Sequence, residues 1–413
     1  MSFDPYQVKA DFPLLARTVR GGKPLIYLDS GATSQKPEVV IRAEQNFYEH
    51  HNAAAHRGAH QLAEEATELF EGARTTISKF INSDENEVVF TKSATESINL
   101  LAYSLSNPGS PINWMPGDRI LATVMEHHAN LIPWQQLSKR VGAELDFIDV
   151  TDQGELDLSN LESLVTEKTK IIAFSHASNV LGGLTQTDKI VKLAGEVGAL
   201  TVLDACQSVP HEPVDVQELG IDFMAFSGHK MLGPTGVGVL FGKYAALDSL
   251  PPFLTGGSMI ENVTLREATF SPVPKRFEAG VPNMAQAVGL AAAVDYLSSI
   301  GMHEISKHEA NLVTLAINLL TEIPGLQIIG SKGPRGGAVS FVVDGIHAHD
   351  LGQVLDDDGI AVRVGHHCAW PLMRRFQIPA TTRATFYLYN TQEDVYALVE
   401  SVKRAIKFFG GRL

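Results

Sequence analysis

The sequence has few cysteines, no excess of positive charge and no long apolar run. Cys206 and Cys368 are the two cysteines among 413 residues, which excludes a disulfide-stapled scaffold and favours a reducing compartment. Lysine and arginine number 33 against 47 acidic residues, for a net charge of −14. That balance argues against nucleic acid as the main partner, because phosphate binding needs a basic face. No stretch of about 18 apolar residues occurs, and MSFDPYQVKADF does not resemble a secretory signal. We expect a cytoplasmic protein with neither a membrane nor a nucleic-acid partner.

Short apolar runs alternate with longer amphipathic stretches over the first part of the chain. The runs rich in Val, Ile and Leu are EVVF (87–90), RILATV (119–124), ELDFIDV (144–150), KIIAFS (170–175), LTVLDA (200–205) and DFMAFS (222–227). Such runs between helices are typical of buried, mostly parallel strands, so we predict an α/β fold. From about residue 283, two long helical patterns precede shorter strand-like runs that include ATFYLY (384–389). We expect a lead-in over 1–20 that packs with the small domain, a large domain over 21–280 and a small α+β domain over 281–413.

Polar and titratable residues follow these runs. RILATV is followed by MEHHAN, LTVLD by ACQS, and DFMAFS by GHKMLGPTGVGVL. In parallel sheets, ligands bind beyond the carboxyl ends of the strands. This pattern favours an enzyme with one composite site over a binding module.

Lys230 follows a predicted buried strand and precedes a glycine-rich stretch. Partial shielding from water suits the amine of a lysine to Schiff-base chemistry; the alternative is a surface lysine on a loop. Asp204 ends another predicted strand, and a carboxylate there is what the ring nitrogen of pyridoxal phosphate requires. Gln207 lies near enough in sequence to reach the phenolic oxygen of the same cofactor. The alternative for Asp204 is a helix N-cap.

The phosphate of such a cofactor needs donors at the start of a helix. Thr95 opens a helical stretch after EVVF, where free backbone N–H groups form an anion site; capping alone also explains this threonine. Ser227 and His229 flank the lysine and are further donors. His127, just past another strand end, is placed to stack on a flat cofactor or to move protons. There is no Cys-x-x-Cys or His-Glu-x-x-His spacing, so no metal site is predicted.

The two cysteines differ in their neighbours. Arg363, His366 and His367 precede Cys368, and positive charge near a thiol favours the thiolate, so Cys368 is the candidate nucleophile. Cys206 follows a buried strand, two residues after an aspartate, and is expected in the core.

A carboxylate-binding pair is also predicted in the second half of the chain. Arg383 offers a planar guanidinium that suits a substrate carboxylate, and Asn179 is placed to share it. A solvated surface charge is the alternative for Arg383 alone.

Taken together, these motifs resemble the class V branch of fold-type I pyridoxal phosphate enzymes, and within it the Suf-type (group II) cysteine desulfurases. The resemblance runs along almost the whole chain. The motifs that carry it are LDSGATSQKP (28–37), HRGAH (56–60), TESIN (95–99), EHHAN (126–130), SNVLGG (178–183), LDACQS (203–208), SGHKMLGPTGVGVL (227–240), RFEAGVPN (276–283), VRVGHHCA (362–369) and RATFYLYN (383–390). VRVGHHCA is the most diagnostic, because it separates this group from the desulfurases with a longer cysteine loop.

The resemblance implies a role for each candidate residue. It implies covalent attachment of the cofactor to Lys230, ring contacts from His127, Asp204 and Gln207, phosphate contacts from Thr95, Ser227 and His229, a substrate-carboxylate site at Asn179 and Arg383, and sulfur transfer to Cys368. It also implies a homodimer, with His56, Arg57 and the loop after Arg276 near the seam. One position departs from the family pattern: Val281 stands where relatives commonly carry a threonine that reaches the partner's phosphate.

The activity implied is the conversion of L-cysteine to L-alanine, with a persulfide on Cys368 that passes to a SufE-like or SufU-like acceptor for iron–sulfur cluster assembly. A selenocysteine lyase, a cysteine-sulfinate desulfinase, and a class V aminotransferase or kynureninase-like enzyme stay open as alternatives, as does a non-catalytic scaffold. His347 and His349 are candidates for contact with a zinc-bearing acceptor, although helix capping or surface exposure is the favoured explanation.

Overall fold

The computed structural model describes residues 3–56, 58–331, 333 and 335–410. Its strands are β1 (Ile26–Tyr27), β2 (Val88–Thr91), β3 (Arg119–Thr123), β4 (Glu144–Ile148), β5 (Thr169–Ser175), β6 (Leu200–Asp204), β7 (Phe223–Ser227), β8 (Gly238–Gly242), β9 (Ile260–Val263), β10 (Ala268–Phe270), β11 (Leu326–Ile329), β12 (Ala338–Val343), β13 (Ile360–Ala361), β14 (Arg363–Gly365) and β15 (Thr381–Thr385). Its α-helices are α1 (Pro5–Ala10), α2 (Glu38–Asn46), α3 (Gln61–Phe80), α4 (Ala94–Ser104), α5 (Ile132–Val141), α6 (Leu161–Leu164), α7 (Thr187–Val197), α8 (Val216–Leu219), α9 (Tyr244–Asp248), α10 (Met284–Ile300), α11 (Met302–Thr321), α12 (Ala348–Asp357), α13 (Trp370–Arg375) and α14 (Gln392–Phe408).

A seven-stranded sheet in the order β2-β8-β7-β6-β5-β3-β4 forms the centre of the larger part of the chain. Strands β7, β6, β5, β3 and β4 run parallel, whereas β8 pairs antiparallel with both β7 and β2. Helices cover it, so the predicted α/β class is confirmed. Strand β4 lies at the sheet edge and is largely accessible to solvent, unlike the buried strand that its apolar run predicts.

Strand β8 has no counterpart among the predicted strands. Its residues belong to the glycine-rich stretch after Lys230, and glycine is depleted in strands. The close approach of the backbone explains the glycine at 238: a Cβ built there lies 2.5 Å from the Cα of Ser93, the residue that caps α4. Only a residue without a side chain lets β8 pass directly beneath the start of that helix.

A second, antiparallel sheet in the order β11-β12-β15-β14 lies in the last third of the chain. The predicted strand ATFYLY is wrong beyond Thr385, because β15 ends there and the following residues leave the sheet. Residues 386–389 are nevertheless fully buried. The hydroxyl of Tyr387 donates to the carbonyl of Pro210, and that of Tyr389 bonds the Ser30 hydroxyl. Burial on all sides produces the same apolar run as a strand.

Contacts link the predicted domains at both ends. Near the N-terminus, Tyr6 donates to Glu393 and Lys9 pairs with Asp394 at 3.3 Å, which holds the lead-in against α14. Strand β1 pairs in parallel with β13, while α10 packs in the same apolar core as α2 and α3. The domain limits at residues 20 and 280 stay a prediction. Within the part of the chain described, no helix is long and apolar enough to cross a membrane.

The contact at Gly238 gives a stability prediction. Gly238→Ala forces the Cβ into the Ser93 backbone, and we expect the free energy of unfolding to fall by about 1–3 kcal/mol, the usual range for overpacking. Gly195→Ala is the matched control: no atom lies within 4 Å of its Cβ, and alanine within α7 stabilises by about 0.5–1 kcal/mol. Urea unfolding of both variants measures the difference. Equal stabilities would contradict the close approach of β8 to α4.

Candidate active site

The carboxyl end of the parallel strands opens into a cavity of about 250 Å³. The ten side chains predicted to bind the cofactor or substrate, or to act in catalysis, all line it: Thr95, His127, Asn179, Asp204, Gln207, Ser227, His229, Lys230, Cys368 and Arg383. Eight of them lie at the ends of strands of the large sheet or in the segments that follow these strands. Arg383 lies on β15 of the second sheet, and Cys368 lies in the loop between β14 and α13. The cavity therefore lies where the two sheets meet.

Lys230 ends a single turn of 3₁₀ helix, Gly228–Lys230, that follows directly from β7. The backbone before it is held firmly, since the carbonyl of His229 accepts from the hydroxyls of Thr33 and Ser34 and from Lys36 Nζ at 2.8 Å. The Lys230 side chain is half-buried, and no carboxylate in the described ranges pairs with its Nζ within 4 Å. Lys230 thus presents an amine to the cavity without a fixed counter-ion.

Asp204 is the last residue of β6 and is buried. Its Oδ1 accepts from the backbone N–H of Cys206 at 3.0 Å. Turns rather than a helix follow it, so the N-cap alternative for Asp204 is not what the structure contains. Gln207, on the next turn, donates from Nε2 to the carbonyl of Gly31 at 2.8 Å. A buried carboxylate in the wall of the cavity is therefore available to hold a protonated nitrogen.

The start of α4 also lines the cavity. Ser93 caps this helix, so the capping alternative for Thr95 is wrong; Thr95 is the second residue of the helix and is exposed. The Oγ of Ser227 accepts from the N–H of Ala94 at 2.9 Å, which leaves the hydroxyl hydrogen available to a ligand. Burial and the nearby lysines lower the pKa of His229 to about 4. A helix N-terminus with neutral donors suits an anion.

His127 has a defined tautomer. Its Nδ1 accepts from the backbone N–H of Ala129 at 3.1 Å, so the ring proton is on Nε2. Burial, reinforced by the charge of Lys230, lowers the pKa of His127 to about 4. The imidazole is therefore neutral near neutral pH and offers a flat face with one N–H donor.

Arg383 is a buried guanidinium with one donor left over. Its Nη1 donates to the carbonyl of Asn179 at 2.8 Å and its Nη2 lies 3.4 Å from Asp29. No described group accepts from its Nε. The Asn179 amide donates to the carbonyl of His367 at 2.8 Å. A buried, incompletely paired guanidinium is suited to a ligand carboxylate.

The loop before α13 carries Cys368. His367 and Cys368 both adopt left-handed backbone angles, with φ of 51° and 56°, and the carbonyl of Cys368 accepts from the N–H of His128 at 2.7 Å. The Cys368 side chain is exposed, whereas Cys206 is buried. Burial, with the charge of Asp204, raises the pKa of the Cys206 thiol well above its ordinary value.

One expectation for this loop is wrong. His367 does not add positive charge beside the thiol, because burial lowers its pKa to about 2 and its Nε2 bonds the hydroxyl of Thr381 at 2.8 Å. Arg363 and Arg383 are the permanent cations that line the same cavity as Cys368, although both also pair with Asp29. The proline after Trp370 lies in the first turn of α13.

Sequence reasoning missed Asp29. This carboxylate lies between Arg363 and Arg383 and pairs with both, at 3.2 and 3.4 Å. The signal was an aspartate directly after the strand-like run LIYL, the same pattern that identified Asp204. Within the described ranges, no group of three or more His, Cys, Asp or Glu side chains is arranged to hold a metal ion.

Known proteins resemble this chain over almost its whole length. The chain matches the aminotransferase class-V family over residues 26–398. It is 56% identical over 406 residues to the probable cysteine desulfurase 2 of Mycobacterium leprae, covering 98% of this chain and 97% of that protein. It is 52% identical over 410 residues to the probable cysteine desulfurase of Streptomyces coelicolor, covering 98% of both.

Two solved structures extend the comparison to the fold. Cysteine desulfurase CsdA from Escherichia coli superimposes with a TM-score of 0.90 at 37% identity, covering 99% of this chain and all of that one. The apo cysteine desulfurase from Thermococcus onnurineus NA1 gives 0.92 at 39% identity, with the same coverage. These neighbours confirm the predicted fold-type I architecture.

The contrast between the thiols predicts selective alkylation. In native protein, iodoacetamide should modify Cys368, which is exposed, and leave Cys206, which is buried with a raised pKa; thiolates, not thiols, are the reactive species. Peptide mass spectrometry measures the label at each site. Cys368→Ser should leave the native protein unlabelled, and unfolding in urea should then expose Cys206. Native labelling of Cys206 would contradict its burial.

Proposed function

The chain belongs to the aminotransferase class-V family and is a pyridoxal phosphate-dependent cysteine desulfurase, and from that premise we propose that Cys368 takes the sulfur of L-cysteine while Lys230 moves the proton at its Cα. The observation that carries this proposal is that one cavity contains both an amine without a fixed counter-ion and an exposed thiol. The selenocysteine, sulfinate and aminotransferase alternatives are not favoured, since the relatives are named as cysteine desulfurases.

The residues of the cavity suit the cofactor. A buried carboxylate, Asp204, and the capped start of α4 with Ser227 both line it. We propose that Lys230 holds the cofactor covalently, that Asp204 and Gln207 contact its ring, and that Thr95, Ser227 and His229 bind its phosphate. When bound, pyridoxal phosphate supplies an electron sink for negative charge at the substrate Cα.

The remaining residues orient the substrate. Arg383, with its unpaired buried Nε, and Asn179 bind the carboxylate of L-cysteine. The neutral His127 lies against the cofactor ring and offers its Nε2 proton. Lys230 accepts the Cα proton and returns one to the product as general base and then acid.

Sulfur transfer uses the thiolate of Cys368. The Cys368 thiolate attacks the substrate sulfur, so an S–S bond forms as the C–S bond of L-cysteine breaks; the bonding pair stays on Cβ, which takes up a proton, so L-alanine leaves and the enzyme keeps a persulfide. Cys206 is unsuited to this step because its raised pKa keeps it protonated.

The persulfide then needs an acceptor. The Cys368 loop is short, since β14 ends at Gly365 and α13 begins at Trp370. We propose a SufE-like or SufU-like acceptor that approaches the loop and serves iron–sulfur cluster assembly in the cytoplasm.

The capping interpretation accounts for His347, whose Nδ1 accepts from the N–H of His349 at 3.3 Å. Both rings are exposed, and their centroids lie 5.4 Å apart in a stacked arrangement.

A homodimer is also proposed. His56, predicted near the seam, pairs with Glu71 at 3.3 Å, and Arg57 lies outside the described residues. Val281 is 72% exposed and does not line the cavity of its own chain. An apolar side chain with that exposure is consistent with a position that serves a second copy.

Two variants test the proposed roles. Lys230→Ala should lose the covalent cofactor band and all turnover, because no other described amine lines the cavity. Cys368→Ser should still bind cysteine, seen as a change in the cofactor spectrum, but release no sulfur, whereas Cys206→Ser should be nearly normal. Purified protein is mixed with L-cysteine, with and without an acceptor, and alanine and sulfide are quantified. Persulfide on Cys206 by mass spectrometry, or turnover in Lys230→Ala, would overturn the assignment.

The departure at position 281 gives a separate prediction. A hydrogen bond to a charged group contributes about 1.5–3 kcal/mol, and about 1.4 kcal/mol is tenfold in affinity. Because the other proposed phosphate donors, Ser227 and His229 among them, supply part of the binding, we expect Val281→Thr to retain the cofactor about threefold to tenfold better under dialysis. Absorbance at matched dimer concentration measures the loss. Identical curves would show that position 281 does not face the partner's phosphate.

A further inference from the structure

Directly before His127, a carboxylate shielded completely from solvent is surrounded by four hydrogen-bond donors. Glu126 has no exposed surface. Its Oε1 accepts from the Thr123 hydroxyl at 2.5 Å and from the Ser175 N–H at 3.0 Å. Its Oε2 accepts from the Ser175 hydroxyl and from the Asn130 amide, both at 2.6 Å. Burial raises the pKa of Glu126 to about 7, and these bonds act in the opposite direction.

Two groups that can only donate fix the direction of the bonds to Asn130 and to Glu126 Oε1. The indole Nε1 of the buried Trp134 donates to Asn130 Oδ1 at 3.0 Å. An indole N–H only donates, so the Asn130 amide must turn its NH₂ toward Glu126. On the other oxygen, the backbone N–H of Ser175 also only donates. Each oxygen at position 126 therefore faces an obligate donor, and a carboxylate satisfies both whereas a carboxamide does not.

The same four bonds fasten the turn that carries His127. Thr123 ends β3 and precedes the turn, while Asn130 closes the short 3₁₀ helix that follows His127. Ser175 ends β5, lines the cavity, and stands opposite Asp204 in the strand register. Within the turn, the ring of His127 is held by the N–H of Ala129. The position of the Glu126 carboxylate therefore determines where the imidazole lies.

We propose that Glu126 is a positioning residue whose carboxylate fixes the His127 turn and the Ser175 edge of the cavity beside Asp204. Glu126 does not line the cavity itself. The inference rests on the proposed role of His127 for its effect on turnover, but the placement of the imidazole is measurable independently.

A reciprocal exchange tests the proposal. In Glu126→Gln, one NH₂ group must meet an obligate donor; in Asn130→Asp, two carboxylates face each other across a distance that is 2.6 Å in the native pair. When both substitutions are combined, the new amide at position 126 donates to the new carboxylate at position 130 and to the Ser175 hydroxyl, which turns from donor to acceptor. The obligate donors, Trp134 Nε1 and the Ser175 N–H, then each face an oxygen again. Glu196→Gln, the same change on the exposed face of α7, is the control.

Two measurements on the full-length holoenzyme separate positioning from general destabilisation. The first is the pair of nitrogen-15 shifts of the His127 imidazole after histidine labelling, assigned with His127→Gln. The second is kcat and KM for L-cysteine. We expect each single variant to shift the His127 signals and to lower kcat about tenfold or more, as expected for an unpaired buried donor. The double variant should restore both, and the control should match the native enzyme.

The outcomes are distinct. Native His127 signals and native kcat in Glu126→Gln would overturn the proposal. A double variant that regains thermal stability but not the His127 signals would also overturn it. Absence of desulfurase activity in the native enzyme would instead count against the proposed function, while the imidazole signals would still report on positioning.

Discussion

Parallel pairing of the central strands is the constraint on which the rest of this structure depends. Strands β3, β5, β6 and β7 run in one direction, so their carboxyl ends, and the polar residues after them, meet at one edge. The register places Ser175 beside Asp204 and Asp204 beside Ala225. The backbone hydrogen bonds between these strands therefore bring residues that are far apart in sequence to one cavity.

The second sheet completes that edge rather than forming a site of its own. It contributes Arg383 on β15, whose buried charge is balanced by Asp29 and by the carbonyl of Asn179. A buried cation is tolerated only when it is paired and hydrogen-bonded. The contact between the sheets thus depends on groups that also line the cavity, and packing and chemistry share the same side chains.

The sequence was informative where function follows a local run. The site residues Asp204 and Lys230 can be recognised from the sequence because each lies at or just after the end of an apolar run. It was uninformative where distant partners decide the outcome. The paired neighbours of β8 override its glycines, burial on all sides makes 386–389 look like a strand, and Thr381 together with burial keeps His367 neutral. The four donors around Glu126 come from three residues: Thr123 and Asn130 lie near it in sequence, whereas Ser175, which supplies two of the four, lies on another strand, and no spacing reveals it.

Two successive left-handed residues, His367 and Cys368, cost about 1–3 kcal/mol each outside glycine. The N–H of Cys368 donates locally to His366 Nδ1, but two further contacts come from distant segments: Asn179 donates to the carbonyl of His367, and the N–H of His128 donates to that of Cys368. An isolated C-terminal segment would lack both distant contacts. The Cys368 thiol therefore reaches this orientation only after the whole chain has folded. A nascent or damaged enzyme contains the cysteine but does not hold its backbone in this conformation.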